Sequence, residues 1–179
     1  IFASGSKEGG GSGFKKLCEA AQSGALRAEI VAVVSNHENG GVKKHADSFG
    51  IPFIFFNSKE WSAEEYQKII TDTGAKWVSL SGWLKMVRGL DPKTTFNIHP
   101  GPLPRFGGKG MYGHYVHEAV INAYHEGEVT HSAVTMHFVT EKYDEGPVIL
   151  QSLVEILPDD TAETLGARVN AQEHVWQSK

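Results

Sequence analysis

Ile30-Val31-Ala32-Val33-Val34-Ser35, followed by Gly41 to Phe49 and then Pro52 to Phe56, is the stretch on which the architecture turns. The first and third runs are short and β-rich and read as strands, while the middle run carries its apolar residues at helical spacing. The alternation continues outward in both directions. Toward the N-terminus, Ile1 to Ser4 reads as the end of a first strand and Phe14 to Ala21 as a helix. Toward the C-terminus, Ala63 to Thr71 is a helix opened by the N-cap Ser62, and Trp77 to Ser81 is a strand. Phe96 to His99 is the next strand and Tyr115 to Tyr124 the next helix. Ala133 to Val139 and Val148 to Ile156 are longer strands, and a last helix starts near Thr161 with Asp160 or Thr161 as its cap. Short strands separated by amphipathic helices predict an α/β fold, a Rossmann-like and mostly parallel sheet with helices on both faces. No internal repeat or linker interrupts it, so residues 1–179 are expected to form a single domain. Both ends read as incomplete: the chain opens inside an apolar run without Met, and it stops where a helix should continue.

Of the 179 residues, 40% are hydrophobic and 21% charged, with a formal charge of -4, the composition of an ordinary soluble globule. There is no basic run for nucleic acid, no stretch long enough to cross a bilayer and no signal-like leader, which makes the cytoplasm the expected compartment. The single cysteine, Cys18, has no partner for an intramolecular disulfide and lies in an apolar helical pattern, so it is expected in the core. A monomer and a homodimer both remain open.

The chemistry concentrates in Asn97-Ile98-His99-Pro100-Gly101-Pro102-Leu103-Pro104 and in Asp144-Glu145-Gly146-Pro147. In a strand Asn97 and His99 share one face and Phe96 and Ile98 the other. Pro100 biases His99 toward an extended backbone, and Pro102 and Pro104 stiffen the loop that follows. An Asn amide can donate to an oxygen on which negative charge develops, and an imidazole can donate or accept a proton near neutral pH. A carboxylate beside that imidazole would favour its charged form, and Asp144 is the candidate. The bland alternative is that Asn97 and His99 only satisfy backbone groups at a strand end. His114 and His117, near His125 and His131, lack a third ligand of obvious geometry, so no metal is expected; His137 reads as a structural strand residue. The loop from Ser4 to Phe14, with Gly9-Gly10-Gly11-Ser12-Gly13, joins the first strand to the first helix. Its backbone N–H groups and the helix N-terminus suit a phosphate, although a flexible surface loop would look the same and the dinucleotide-type glycine spacing is not met cleanly.

The segments Asn97-Ile98-His99-Pro100 with Leu103-Pro104 and Phe106, Met136-His137-Phe138-Val139-Thr140-Glu141-Lys142-Tyr143-Asp144-Glu145-Gly146-Pro147, and Ala167-Arg168-Val169 with Glu173-His174 resemble the phosphoribosylglycinamide formyltransferase family, over nearly the whole chain. The Asn-x-His and Asp-x-Gly-Pro pair marks the wider formyltransferase superfamily, and Gly107 to Gly113 is similar to a subgroup with a glycine-rich loop. The resemblance implies that Gly11, Ser12 and Gly13 hold a ribonucleotide phosphate, although most relatives carry Asn where this chain has Gly13. It places Pro100 at the substrate and Asn170 and Glu173 at the ribose, for which plain surface polarity is the alternative. It makes Gly82-Trp83-Leu84-Lys85-Met86-Val87 one wall of a pterin site, lined by Leu84, Met86 and Val87 with Lys85 contributing backbone; without the family these residues read as core. The other wall is Val139, Thr140 and Glu141 through Asp144, with Asn97 also at the cofactor. A folate-tail Arg found in some relatives is missing near Ala63. The family often has a cis bond matching Leu103-Pro104.

The implied reaction is formyl transfer from 10-formyltetrahydrofolate, a cosubstrate, to the amine of glycinamide ribonucleotide in purine synthesis. Asn97 and a protonated His99 would stabilise the tetrahedral oxyanion, and Asp144 would hold His99 charged and assist proton transfer through a water. The alternatives are a formyltetrahydrofolate hydrolase or a methionyl-tRNA formyltransferase, expected to carry an extra N-terminal or C-terminal domain respectively, and a nucleotide-binding module without catalysis. The partners expected are the two small molecules, with no nucleic acid and no membrane.

Overall fold

The computed structural model describes residues 1–179. The chain divides into two compact units, residues 1–96 with 178–179, and residues 97–177.

In the first unit the order is α1 (Ser12–Ser23), β1 (Val33–Ser35), α2 (Gly41–Phe49), β2 (Phe53–Phe55), α3 (Ala63–Thr73), β3 (Val78–Leu80) and the start of β4 (Thr95–His99). β1 and β2 run parallel with Val33 opposite Phe53. The expected first strand, Ile1 to Ser4, is reduced to isolated parallel bridges from Phe2 to Val34 and to Leu80. Its backbone is still hydrogen-bonded to both sides, with the Phe2 amide donating to the Ser79 carbonyl, Ala3 to Val34 and Ser4 to Gly82, while Ile30 to Ala32 stay outside β1. α3 begins with a complete capping box in which the Ser62 hydroxyl accepts from the Glu65 amide and the Glu65 carboxylate accepts from the Ser62 amide. Phe14, Cys18, Val33, Val42 and Ala46 form one apolar cluster. Burial pushes the Cys18 thiol up to about 11, so the expectation of an inert core cysteine holds.

The second unit holds the end of β4, α4 (His114–His125), β5 (His131–Phe138), β6 (Val148–Glu155) and α5 (Ala162–Trp176). β5 and β6 are antiparallel, in register from His131 opposite Glu155 to Met136 opposite Leu150. The register then slips so that His137 faces Val148, leaving Ile149 as the extra residue of a β-bulge. The core joins Ile98 to Val116, Val120, Val134, Val154, Leu165 and Val169. Thr161, rather than Asp160, caps α5, its hydroxyl accepting from the Thr164 amide. Asp160 instead binds Arg168 through both oxygens, at 2.6 and 2.8 Å. That bidentate pair holds the Asp160 carboxyl far below the usual carboxylate range.

Candidate active site

Alternation along β4 sends the Ile98 side chain into the core and leaves Asn97 and His99 on the opposite face. His99 is 3% exposed. Its Nε2 donates to the Phe106 carbonyl at 2.7 Å, which directs Nδ1 toward Asp144 Oδ2 at 3.6 Å. The loop between is held in place by side chains that sequence reading passed over. Thr135 Oγ1 donates to the Gly101 carbonyl at 2.7 Å, and Gln151 Nε2 donates to the Leu103 carbonyl at 3.2 Å and to Thr135 Oγ1 at 3.0 Å. The Leu103–Pro104 peptide is cis, as the resemblance implied.

Asp144 sits in the β5–β6 loop with φ of 57°, a left-handed conformation that non-glycine residues rarely adopt. Gly146 makes this turn possible, because a Cβ there would run into the Phe138 carbonyl. One Asp144 oxygen, Oδ2, accepts from the Gly108 amide at 3.0 Å; the other, Oδ1, lies 3.4 Å from His137 Nε2. His137 Nδ1 donates to the Phe138 carbonyl at 2.9 Å, so Nε2 accepts from Asn97 Nδ2 at 3.2 Å while the ring is neutral and donates toward Asp144 Oδ1 when the ring carries a second proton. His137, expected to be structural, is therefore placed beside Asn97 and Asp144. The available signal was parity: Ala133, Thr135 and His137 alternate onto one face of β5, and Thr135 on that face is bonded to the Gly101 carbonyl beside the site.

Burial pulls the His99 imidazole below its ordinary pKa, outweighing the Asp144 charge and the Phe106 carbonyl, which both raise it; His137 adds to the lowering. The expectation that Asp144 keeps His99 charged is thus corrected: the interaction has the expected sign, but desolvation is larger. The geometry agrees, since 3.6 Å between Nδ1 and Oδ2 is too long for a charge-assisted hydrogen bond. For Asp144 burial acts to raise the carboxyl, yet His137, His99 and the Gly108 amide together bring it below the normal value. Burial thus favours the neutral form of His99, and its neighbours favour the ionised form of Asp144. No group of three His, Cys, Asp or Glu side chains is placed to hold a metal ion.

In the first unit, the glycine loop is packed rather than loose. Ser6 and Gly9 exchange two hydrogen bonds at 2.8 and 2.9 Å, and a Cβ on Gly41 would strike Gly9 and Gly10. Gly11, with φ of 81°, precedes exposed Ser12 and then Gly13 at the start of α1. Leu84 and Lys85 are exposed, Met86 half-buried and Val87 buried. The Ser4 hydroxyl accepts from the Leu84 amide at 3.0 Å and the Tyr66 hydroxyl donates to the Met86 carbonyl at 3.0 Å, anchoring this irregular segment. In the second unit, Asn170 Nδ2 donates to Glu173 Oε2 at 3.1 Å, so both lie on one face of α5. Burial pushes the Glu173 carboxyl up to about 7, against the Asn170 hydrogen bond.

An amide donor, a buried imidazole and a carboxylate thus meet at the ends of β4 and β5 in an α/β fold. The chain belongs to the formyl transferase family, whose family model matches residues 5–179. Among its relatives, phosphoribosylglycinamide formyltransferase, chloroplastic, of Arabidopsis thaliana is 38% identical over 176 residues, covering 93% of this chain and 59% of that protein. Phosphoribosylglycinamide formyltransferase of Haemophilus influenzae is 32% identical, covering 93% of this chain and 78% of that protein. The chain spans 55–59% of the length of the three plant relatives. Among solved structures, the enzyme of the same name from Bacillus halodurans superposes with a TM-score of 0.83 at 29% identity, over 98% of this chain and 89% of that one. That from Brucella melitensis gives 0.78 at 34% identity, over 99% and 90%. No helix is long and apolar enough to cross a membrane.

Proposed function

We propose that this chain transfers a formyl group from 10-formyltetrahydrofolate to the primary amine of phosphoribosylglycinamide, a step of purine synthesis. The observation that carries the reading is the meeting of Asn97, His99 and Asp144 in one buried cluster, supported by relatives that bear this enzyme's name. The amine nitrogen attacks the formyl carbon, the carbonyl electron pair moves to oxygen, and Asp144 accepts the proton that the nitrogen sheds. The tetrahedral intermediate then collapses, the bond to N10 breaks, and N10 receives that proton. One N–H of Asn97 is spent on His137, and the second is free for the oxyanion. His99 enters neutral, and the proton that Asp144 accepts passes to its Nδ1, 3.6 Å away, as negative charge builds on that oxygen, before going on to N10. A donor of this kind is typically worth about 3 kcal/mol of barrier.

Gly11, Ser12 and Gly13 take the phosphate, Pro100, Asn170 and Glu173 the ribonucleotide, and Leu84, Lys85, Met86, Val87, Val139, Thr140 and Glu141 the folate. Residues 1–179 then serve as a single formyltransferase domain, in the cytoplasm or, as in the plant relatives' names, a plastid. A formyl-transfer assay tests the proposal. Formylated ribonucleotide formed only when both substrates are present supports it; formate released without the ribonucleotide makes the protein a hydrolase, and no turnover makes it a binding module.

A further inference from the structure

The three residues Phe106, Gly107 and Gly108 touch both members of the His99–Asp144 pair through backbone atoms alone. The Phe106 carbonyl accepts from His99 Nε2 at 2.7 Å, and two residues later the Gly108 amide donates to Asp144 Oδ2 at 3.0 Å. That oxygen is the one that faces His99 Nδ1 at 3.6 Å. Between the two contacts Gly107 is pressed against the acid: an added Cβ would lie 2.9 Å from Asp144 Cβ and 2.5 Å from Leu103 Cδ2. Gly108 has φ of 99°, which L side chains rarely adopt, so its amide reaches the carboxylate only because the residue is glycine. Asp144, itself left-handed, has no regular secondary structure of its own to hold it.

We propose that the turn Phe106–Gly108 is a backbone clamp that sets the spacing of His99 and Asp144, with Gly107 and Gly108 as positioning residues for the proton-transferring carboxylate. The clamp explains why two functional side chains from distant segments hold a spacing just beyond a hydrogen bond. Strand β4 orients the imidazole, the β5–β6 loop presents the acid, and one rigid turn is bonded to each. The charged or titratable groups facing His99 are Asp144 from that loop, His137 from β5 and His117 from α4. Of these, the clamp contacts only Asp144. The inference deepens the formyl-transfer reading and rests on it for the word catalytic, but its geometry can be tested without substrate.

The test is NMR titration of the His99 ring in nitrogen-labelled protein, in the wild type, Gly107→Ala, Asp144→Asn and the double variant. Moving Asp144 away withdraws the charge that raises the imidazole, so Gly107→Ala should shift the His99 midpoint downward, toward that of Asp144→Asn. In the double variant the glycine substitution should add nothing, because its effect passes through the carboxylate. A structural role alone would leave the His99 midpoint at the wild-type value or give additive shifts, and either result overturns the proposal. Gly108→Ala is the second variant: no neighbour lies within 4 Å of its Cβ, so it perturbs the backbone conformation alone and should lower the midpoint in the same sense. If Gly107→Ala does not fold, Gly108→Ala decides the matter by itself. In the transfer assay the same variants should lose tenfold or more in kcat, with KM values within about twofold. Absence of transfer in the wild type would refute the functional reading and leave the titration result standing.

Discussion

Asn97 Nδ2 lies 3.2 Å from His137 Nε2, joining two side chains forty residues apart in the sequence. His137 is in turn fixed by the Phe138 carbonyl, so a single amide orientation of Asn97 is favoured and its second N–H has a defined direction. Replacing Asn97 by Ala should lower kcat by about 10²–10³-fold, the range for one oxyanion donor. Replacing His137 by Ala should cost less, and in the Asn97→Ala background it should cost almost nothing, because the two act as one unit. Steady-state kinetics on the four proteins of the cycle measure this; additive losses would mean that His137 contributes independently of Asn97.

Asp144→Asn keeps an oxygen to accept the Gly108 amide while removing the charge. It is expected to lower transfer by about 10²–10⁴-fold with little change in Tm. In the wild type the rate needs neutral His99, whose pKa is depressed by burial below the ordinary 6.5. Activity is therefore retained above pH 6.5 and lost as pH falls through a midpoint under that value. The residual activity of Asp144→Asn should show this limb at still lower pH, since the charge that raised His99 has gone. A limb that moves upward would show that Asp144 does not govern the imidazole.

His117, 7% exposed with no partner for Nδ1, packs where Gly166 of α5 leaves room for its ring. Burial first, then His114 and His99, lower it to about 4. The fold prefers the neutral ring, so stability is intact above pH 6.5 and is lost as pH falls toward 4. At the full shift the loss is at most about 3 kcal/mol. Urea midpoints at pH 7 and pH 4.5 should differ more for the wild type than for His117→Leu, which has nothing to protonate there. Equal differences would remove His117 as the cause.

Glu173 behaves with the opposite sign. Its carboxyl is raised to about 7, so the protonated form is favoured in the fold, and ionisation costs stability as pH rises from 4.5 through 7. Glu173→Gln retains an oxygen for Asn170 and should be more stable than the wild type at pH 8, by at most about 3 kcal/mol, and similar to it at pH 4. Thermal unfolding at the two pH values checks this. A variant less stable at pH 8 would contradict the assigned burial.

Much of this was legible before any coordinates. The helix Gly41–Phe49 has the bounds that its periodicity predicts, and the Ser62 cap opens α3 where expected. Asn97 and His99 point together because a strand alternates its side chains, whatever surrounds it. The run Ile1 to Ser4 pairs in parallel with segments on both sides, as its apolar residues predict, although only Phe2 forms full bridges.

Local spacing along the chain therefore determined the succession of strands and helices, the shared face of Asn97 and His99, and that of Asn170 and Glu173, since each depends on residues a turn or a pleat apart. Tertiary structure alone decided that His137 stands beside Asn97, that a glycine turn grips Asp144, and that burial depresses the His99 imidazole. Those outcomes depend on which strands lie side by side, on a close backbone approach and on the balance of desolvation against a neighbouring charge. All three are set by which distant segments exclude water from the same place.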